Sequence, residues 1–223
     1  MMPAGENAFT TWGIITLVGG SSVFAAIVTQ GVGWLRDWWK AKVNREFATV
    51  YLVAALERYA NEASNAISDS ENYDSSDGEI GRAVVNVPEL TAYPDSIEWT
   101  ALGPKTTKRM LAFQVEIEAI RSSIAFHWEV TGDEDFVIPD VREKTALVGL
   151  KALQLAAVLE AEYAGEPIDL GNQDWSVKAA LQDGLTRYTD LRIAREAASA
   201  KMYEELNAAL PSGAELTKAE VGG

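Results

Sequence analysis

Residues 12–35 read WGIITLVGGSSVFAAIVTQGVGWL, and no charged side chain falls between Glu6 and Arg36. As an α-helix these 24 residues rise about 36 Å, enough to cross a hydrocarbon core of roughly 30 Å with some tilt. The stretch therefore predicts one membrane-spanning helix. A secretory signal would open on a basic region and carry a shorter apolar core. Here the leader MMPAGENAFTT has no Lys or Arg and contains Glu6. A buried core helix of this length would show a polar face. The polar residues present are the small Thr16, Ser21, Ser22 and Thr29, with Gln30.

The flanks set the orientation. Trp12 stands at one end of the run and Trp34, Trp38 and Trp39 at the other, where indole rings favour the headgroup layer. Arg36, Lys40, Lys42 and Arg45 follow the run, and no basic residue precedes it. Positive charge stays on the cytoplasmic side, so residues 1–11 are expected outside and everything after 35 in the cytoplasm. In a bacterial cell this would be the inner membrane. Gly19, Ser22, Ala26, Thr29 and Gly33 recur at steps of 3 and 4. Close backbone approach drives helix pairing in lipid, so this stripe is a candidate self-association face and points to a homo-oligomer. Against that stands the general abundance of small residues in membrane helices.

Residues 36–209 have the length of one domain, followed by a flexible tail at 210–223. Beyond residue 45 the chain holds 15 basic and 31 acidic side chains, within a total net charge of −14. Nucleic acid, which needs a basic face, is excluded as a partner. The absence of cysteine excludes disulfides, thiol catalysis, iron–sulfur clusters and cysteine-rich zinc sites.

Neither Pro nor Gly occurs between Leu35 and Ser70, so the spanning helix is expected to continue into the cytoplasm to about Ile67. SDSENYDSSDGEIG, residues 68–81, reads as an acidic mobile loop. Its Asp77-Gly78 resembles the middle of a calcium loop. Aligned that way, Tyr73 and Val84 fill the end positions where acids are required, so the motif fails. Residues 82–104 read as an irregular Pro/Trp segment, with AVVNV as a short strand candidate and Asp95-x-x-Glu98 as a capping box that opens a turn ended by Gly103-Pro104. Further helices are predicted over about 106–130, from Pro139 or Asp140 to before Gly165, and over 175–209. Their expected core faces are Met110, Phe113, Ile117, Ile120, Ile124 and His127, widened by Leu111 and Trp128; then Leu147, Leu150, Leu153, Ala157 and Val158; then Leu181, Leu185, Tyr188, Leu191, Ala198, Met202 and Leu206. The fold class expected is all-α: a transmembrane helix running on into an antiparallel bundle of about four helices.

PELTAYPDSIEW, residues 88–99, together with the N-terminal anchor, resembles segments of an uncharacterised family of bacterial single-pass membrane proteins. The resemblance covers about residues 85–130 and the anchor. It implies the membrane topology and no activity.

No catalytic set emerges. His127 is the single histidine: a triad or metal site would have to be built on it, with Ser122, Ser123 or Glu129 nearby. It continues an apolar face and reads as a structural residue, and a di-iron bundle with two Glu-x-x-His pairs cannot be built. Glu116/Glu118 and Glu160/Glu162 lie two apart, on different helix faces. Arg187, Arg192 and Arg195 have acidic neighbours on their own helix in Asp183, Asp190 and Glu196. No catalytic, cofactor or metal residue is assigned. The function expected is a non-enzymatic, membrane-anchored interaction or scaffold protein, partnered by the lipid bilayer, by itself and by another protein. The alternative is a small-molecule sensor or accessory subunit with a pocket lined by Trp99, Trp128 and Trp175.

Overall fold

The computed structural model describes the backbone of residues 11–84, 86–164 and 176–209, with side chains from residue 33 onward. These residues form four α-helices and no strand: α1 Thr11–Ser75, α2 Trp99–Thr131, α3 Glu134–Leu159 and α4 Val177–Ala209. A π-helical turn, Glu160–Ala164, widens the end of α3. The expectation of a helix running unbroken past Leu35 holds, and α1 is 65 residues, about 97 Å, long.

α3 is the central element. It runs antiparallel to α1, with Arg142 level with Ser70 and Asp74 and Gly149 level with Ala63. It is antiparallel to α4 as well, with Glu143 joined to Thr189 and Arg192. The face it buries is Val141, Thr145, Val148, Ala152, Ala156 and Leu159, flanked by Ala146 and Gly149. The expected leucine face is out of phase with this one: Leu150 and Leu153 are half-buried, while Leu147, Ala157 and Val158 are exposed. Helices approach most closely across small side chains, so the Ala/Gly stripe takes the centre and the larger leucines fall to the flanks.

α3 starts earlier than the sequence suggests, because the Asp133 side chain accepts from the Asp135 N–H and caps the helix upstream of Pro139. In α2 the expected core residues Met110, Phe113, Ile117 and Ile124 are buried, but Leu111 points outward. In α4 burial stops at Tyr188. That residue lies level with Glu71, four residues before α1 ends. Beyond it α4 stays beside the start of α3, where Arg192 bonds Glu143 and Arg195 bonds the Phe136 carbonyl, while Leu191, Met202 and Leu206 are exposed.

Two expectations are corrected between α1 and α2. The acidic loop at 68–81 is helical as far as Ser75. Composition argued for a loop; partners on other helices hold the helix, since Ser70 and Asp74 bind Arg142, and Glu71 binds Arg187 and Tyr188. The chain then reverses at Gly81 (φ 86°), where an added Cβ would run into the Asp69 carbonyl, so only glycine fits this approach.

α1 and α2 consequently run in the same direction, not antiparallel as the short-loop reading implied. Residues 82–98 carry the chain back along α1 from Asp69 to Asn44, where Asn44 bonds Glu98. That stretch of α1 is about 37 Å long, and a helix of residues 82–98 would cover only about 24 Å. An extended strap is required, and Pro88 and Pro94 enforce one. AVVNV accordingly forms no strand among its described residues.

Val84, Val87, Leu90 and Ile97 seat the strap on the core. The Tyr59 hydroxyl donates to the Pro88 carbonyl (3.4 Å), and Tyr93 packs edge-on to Trp99 (5.6 Å). Burial pushes both phenols well above their ordinary range, so they remain protonated donors. The expected capping box is absent: Glu98 stands at the N-cap of α2, and its side chain accepts from Asn44 without capping the helix. Gly103 (φ 75°, ψ 161°) breaks the helix after one turn, as Gly103-Pro104 suggested.

One contact across the α1–α3 seam is unfavourable. Burial first, and the Glu160 carboxylate second, raise the pKa of Glu57. The folded state therefore holds this proton to higher pH than the unfolded chain does. Stability falls as pH rises from the ordinary carboxylate value through the raised one. Glu57→Gln is expected to raise the melting temperature at pH 7 by a few degrees and to match the parent near pH 4. Circular-dichroism melts across that range check it.

Candidate functional site

The exposed surface that stands out lies where α1 leaves its charge-free run. Trp34 is 70% exposed, and Leu35, Trp38 and Trp39 are also more than half exposed, on consecutive turns of a continuous helix. Arg36, Lys40 and Lys42 are exposed on the same turns, Lys42 lying 3.8 Å from Glu46. Nothing approaches Gly33 within contact distance. Large aromatic and basic side chains thus form one collar around α1, and among the described residues nothing packs over it. The side chains of Trp12, Ser22, Ala26 and Thr29, and the surroundings of Gly19, lie outside what is described.

Arg45 belongs with the body, not with the collar. Its Nε donates to the Ala101 carbonyl (2.8 Å) and its guanidinium sits 5.6 Å from the Tyr163 ring centroid. Tyr163 in turn donates to the Leu102 carbonyl at 2.8 Å. This clasp fastens the start of α2 and the end of α3 to α1 just above the collar. Sequence reading missed it, because a basic residue after an apolar run carries no sign of an aromatic partner 118 positions on.

Above the collar, Val43, Phe47, Val50 and Ala54 form an exposed stripe, with Phe47 64% exposed. They lie on the side of α1 opposite Ala48, Leu52, Leu56 and Tyr59, which enter the core. A second apolar surface, an open groove of roughly 860 Å³, follows the outer side of α2 past Trp99, Gly103, Pro104, Leu111 and Val115. Trp99 lines the groove with residues as far as Val115, and Trp128 lies 13 residues further along α2, about 20 Å, so the two do not line one pocket. Trp175 lies outside the described residues.

His127 sits at the opposite end of the bundle, in a cleft with Asp140, Glu143, Arg192, Arg195 and Glu196. Its Nδ1 is 3.7 Å from an Asp140 oxygen that Lys144 already holds at 2.8 Å. Arg192 is shared between Glu143 and Glu196, and Arg195 caps the Phe136 carbonyl. The acidic and basic side chains of this cleft are paired with one another, and Tyr188 lines it as well. Among the described residues no three His, Asp or Glu side chains are grouped to hold a metal ion. Among those residues, too, no helix is long and apolar enough to cross a membrane. No protein-family model, curated protein or solved structure matches this chain.

Proposed function

We propose that this chain is a non-enzymatic, membrane-anchored interaction protein whose helical body is held at the cytoplasmic face of a bilayer, the inner membrane in a bacterial cell. The observation that carries the reading is the uncovered Trp34/Trp38/Trp39 and Arg36/Lys40/Lys42 collar, set on a continuous helix next to the charge-free residues 12–35. Indole rings gain by sitting in headgroups, and Lys or Arg stems beside them let the charges reach the same layer. The clasp at Arg45 joins the body to the same helix, so movement of the anchor and of the bundle is coupled.

The test is cellular fractionation with a C-terminal reporter. Retention in membranes after a carbonate wash, with the reporter active in the cytoplasm, is expected. Release into the soluble fraction, or a reporter active outside, overturns the proposal.

A second reading, a small-molecule sensor, draws on the open groove beside Trp99. Saturable binding of a fluorescent apolar probe, lost in Leu111→Asp, would favour it. So open a groove encloses little of a small ligand, which makes it the weaker reading.

A further inference from the structure

We infer that the outer side of α1 above the collar, Val43, Phe47, Val50 and Ala54, pairs in parallel with the same stripe of a second copy of this chain. The inference rests on the membrane-anchored reading and names the partner of that anchor helix. Four observations converge on it.

The first is exposure. Val43, Phe47 and Val50 are each more than half exposed, although they sit on the most hydrophobic outer surface of a helix whose inner side is fully used by the core. At 100° per residue the stripe centres about 170° from Leu52 and Leu56, so α1 is apolar on two opposite sides. A helix that serves one bundle needs one such side.

The second is period. From Gly33 the steps to Arg36, Lys40, Val43, Phe47, Val50 and Ala54 are 3, 4, 3, 4, 3 and 4. This is a strict repeat of 3.5, which drifts about 20° per heptad around a straight helix. Val43, Phe47, Val50 and Ala54 are the apolar members of this register beyond the charge-free run, and two helices wound around each other would keep them aligned. A flat lipid surface imposes no such period. The register is the one that Gly19, Ser22, Ala26, Thr29 and Gly33 occupy lower in the sequence. It ends where polar Glu57 and Asn61 take the next positions.

The third is position. Val43 to Ala54 stand about 12–28 Å beyond Leu35 along α1, clear of any hydrocarbon layer that covers residues 12–35. The strap residues Glu89–Tyr93 line a pocket together with Tyr51, Ala54, Ala55 and Arg58 of α1, so the strap reaches the upper end of the stripe at Ala54. Val43, Phe47 and Val50 are left uncovered.

The fourth is symmetry. Two copies anchored in one bilayer with the same orientation hold identical stripes at identical heights. A two-fold axis along the membrane normal then makes the contact self-complementary. Arg36 and Lys40 interrupt the apolar seam where it leaves lipid, and both are exposed. Their stems are long enough to turn the charges outward to headgroup phosphates. A polar residue at a seam position costs stability and sets register.

The chain has no cysteine, so single-cysteine variants are unambiguous. Val43→Cys, Phe47→Cys and Val50→Cys are compared with Ala41→Cys and Lys42→Cys, on the same turns but off the stripe. Each is oxidised with copper phenanthroline in the full-length protein in native membranes. About tenfold more disulfide-linked dimer is expected from the three stripe positions, because only they face a partner across a two-fold axis. Equal yields at all five positions, or linkage only to a protein of different mass, overturns the inference.

Phe47→Asp in detergent micelles is expected to lower the mass by light scattering to that of one chain, with the helical circular-dichroism signal unchanged. An unchanged oligomeric mass overturns it too. Fractionation separates the two proposals. Stripe-specific linkage in a protein recovered outside membranes retires the anchor and keeps the pairing, whereas a membrane-held protein without linkage does the reverse.

Discussion

Asp74→Ala is expected to lower stability by about 2–3 kcal/mol, a fall of about 5–10 °C in melting temperature for a body of this size. Arg142 is nearly buried, with 8% of its side chain exposed, and Asp74 takes both ends of its guanidinium at 2.5 and 2.9 Å. Ser70 accepts from Nε at 2.6 Å, and the Tyr188 ring centroid lies 5.7 Å away. One cation therefore ties α1, α3 and α4 together. Removing Asp74 leaves the charge with one hydroxyl and one carbonyl in a site that water barely reaches. The cost stays below that of a fully enclosed pair because Asp74 itself is about half exposed.

The double variant Asp74→Ala/Arg142→Met should recover most of the loss, since an apolar side chain of similar length needs no counter-charge. Thermal melts of the two variants in the same detergent check this. A double variant no more stable than Asp74→Ala would mean that the arginine contributes by packing alone. Beside this network, burial and then Glu71 push the Tyr188 phenol up to about 12, so Tyr188 stays a donor to Glu71 at neutral pH.

The second large effect belongs to Gly149. A Cβ built there would meet the Ala63 Cβ and both Leu181 methyl groups at 3.0 Å, at the point where α1, α3 and α4 cross. Gly149→Val is expected to cost about 3 kcal/mol, because three helices would have to separate to admit the branched side chain. Gly184 offers the contrast. Its added Cβ would touch Ile67 at ordinary distances of 3.6 and 3.7 Å. Gly184→Ala should therefore be neutral, or stabilising by about 0.5–1 kcal/mol through helix propensity. Chemical denaturation of both variants measures the difference. Equal effects would show that α3 and α4 have slack at their crossing.

Much of the fold was legible without coordinates. Heptad-like spacing placed the core of α2 on Met110, Phe113, Ile117 and Ile124, and those residues are buried. The missing breakers between Leu35 and Ser70 announced a long first helix, and α1 is one. The face of α3 was misjudged because periodicity was weighted by size. Leu147 outranks Gly149 on any hydrophobicity scale, yet close packing of three helices favours the residue with no side chain. Of the candidate collar, Trp34, Trp38 and Trp39 were readable from their place beside an apolar run. Arg45 was not, because its acceptor and its aromatic ring come from α2 and the end of α3.

Local sequence thus determined which segments are helical, where the apolar run begins and ends, and that a basic, aromatic collar follows it. Those properties depend on neighbours within a few residues, whose side chains share a helix face whatever the rest of the chain does. Tertiary structure alone decided that 68–75 is helix and not loop, that α2 runs beside α1 in the same direction, and which side of α1 stays uncovered. Each of these turns on partners far apart in the chain. Arg142 waits some seventy positions beyond the one acid it pairs with, Asp74, and nothing in a local pattern of charge records where such a partner will arrive.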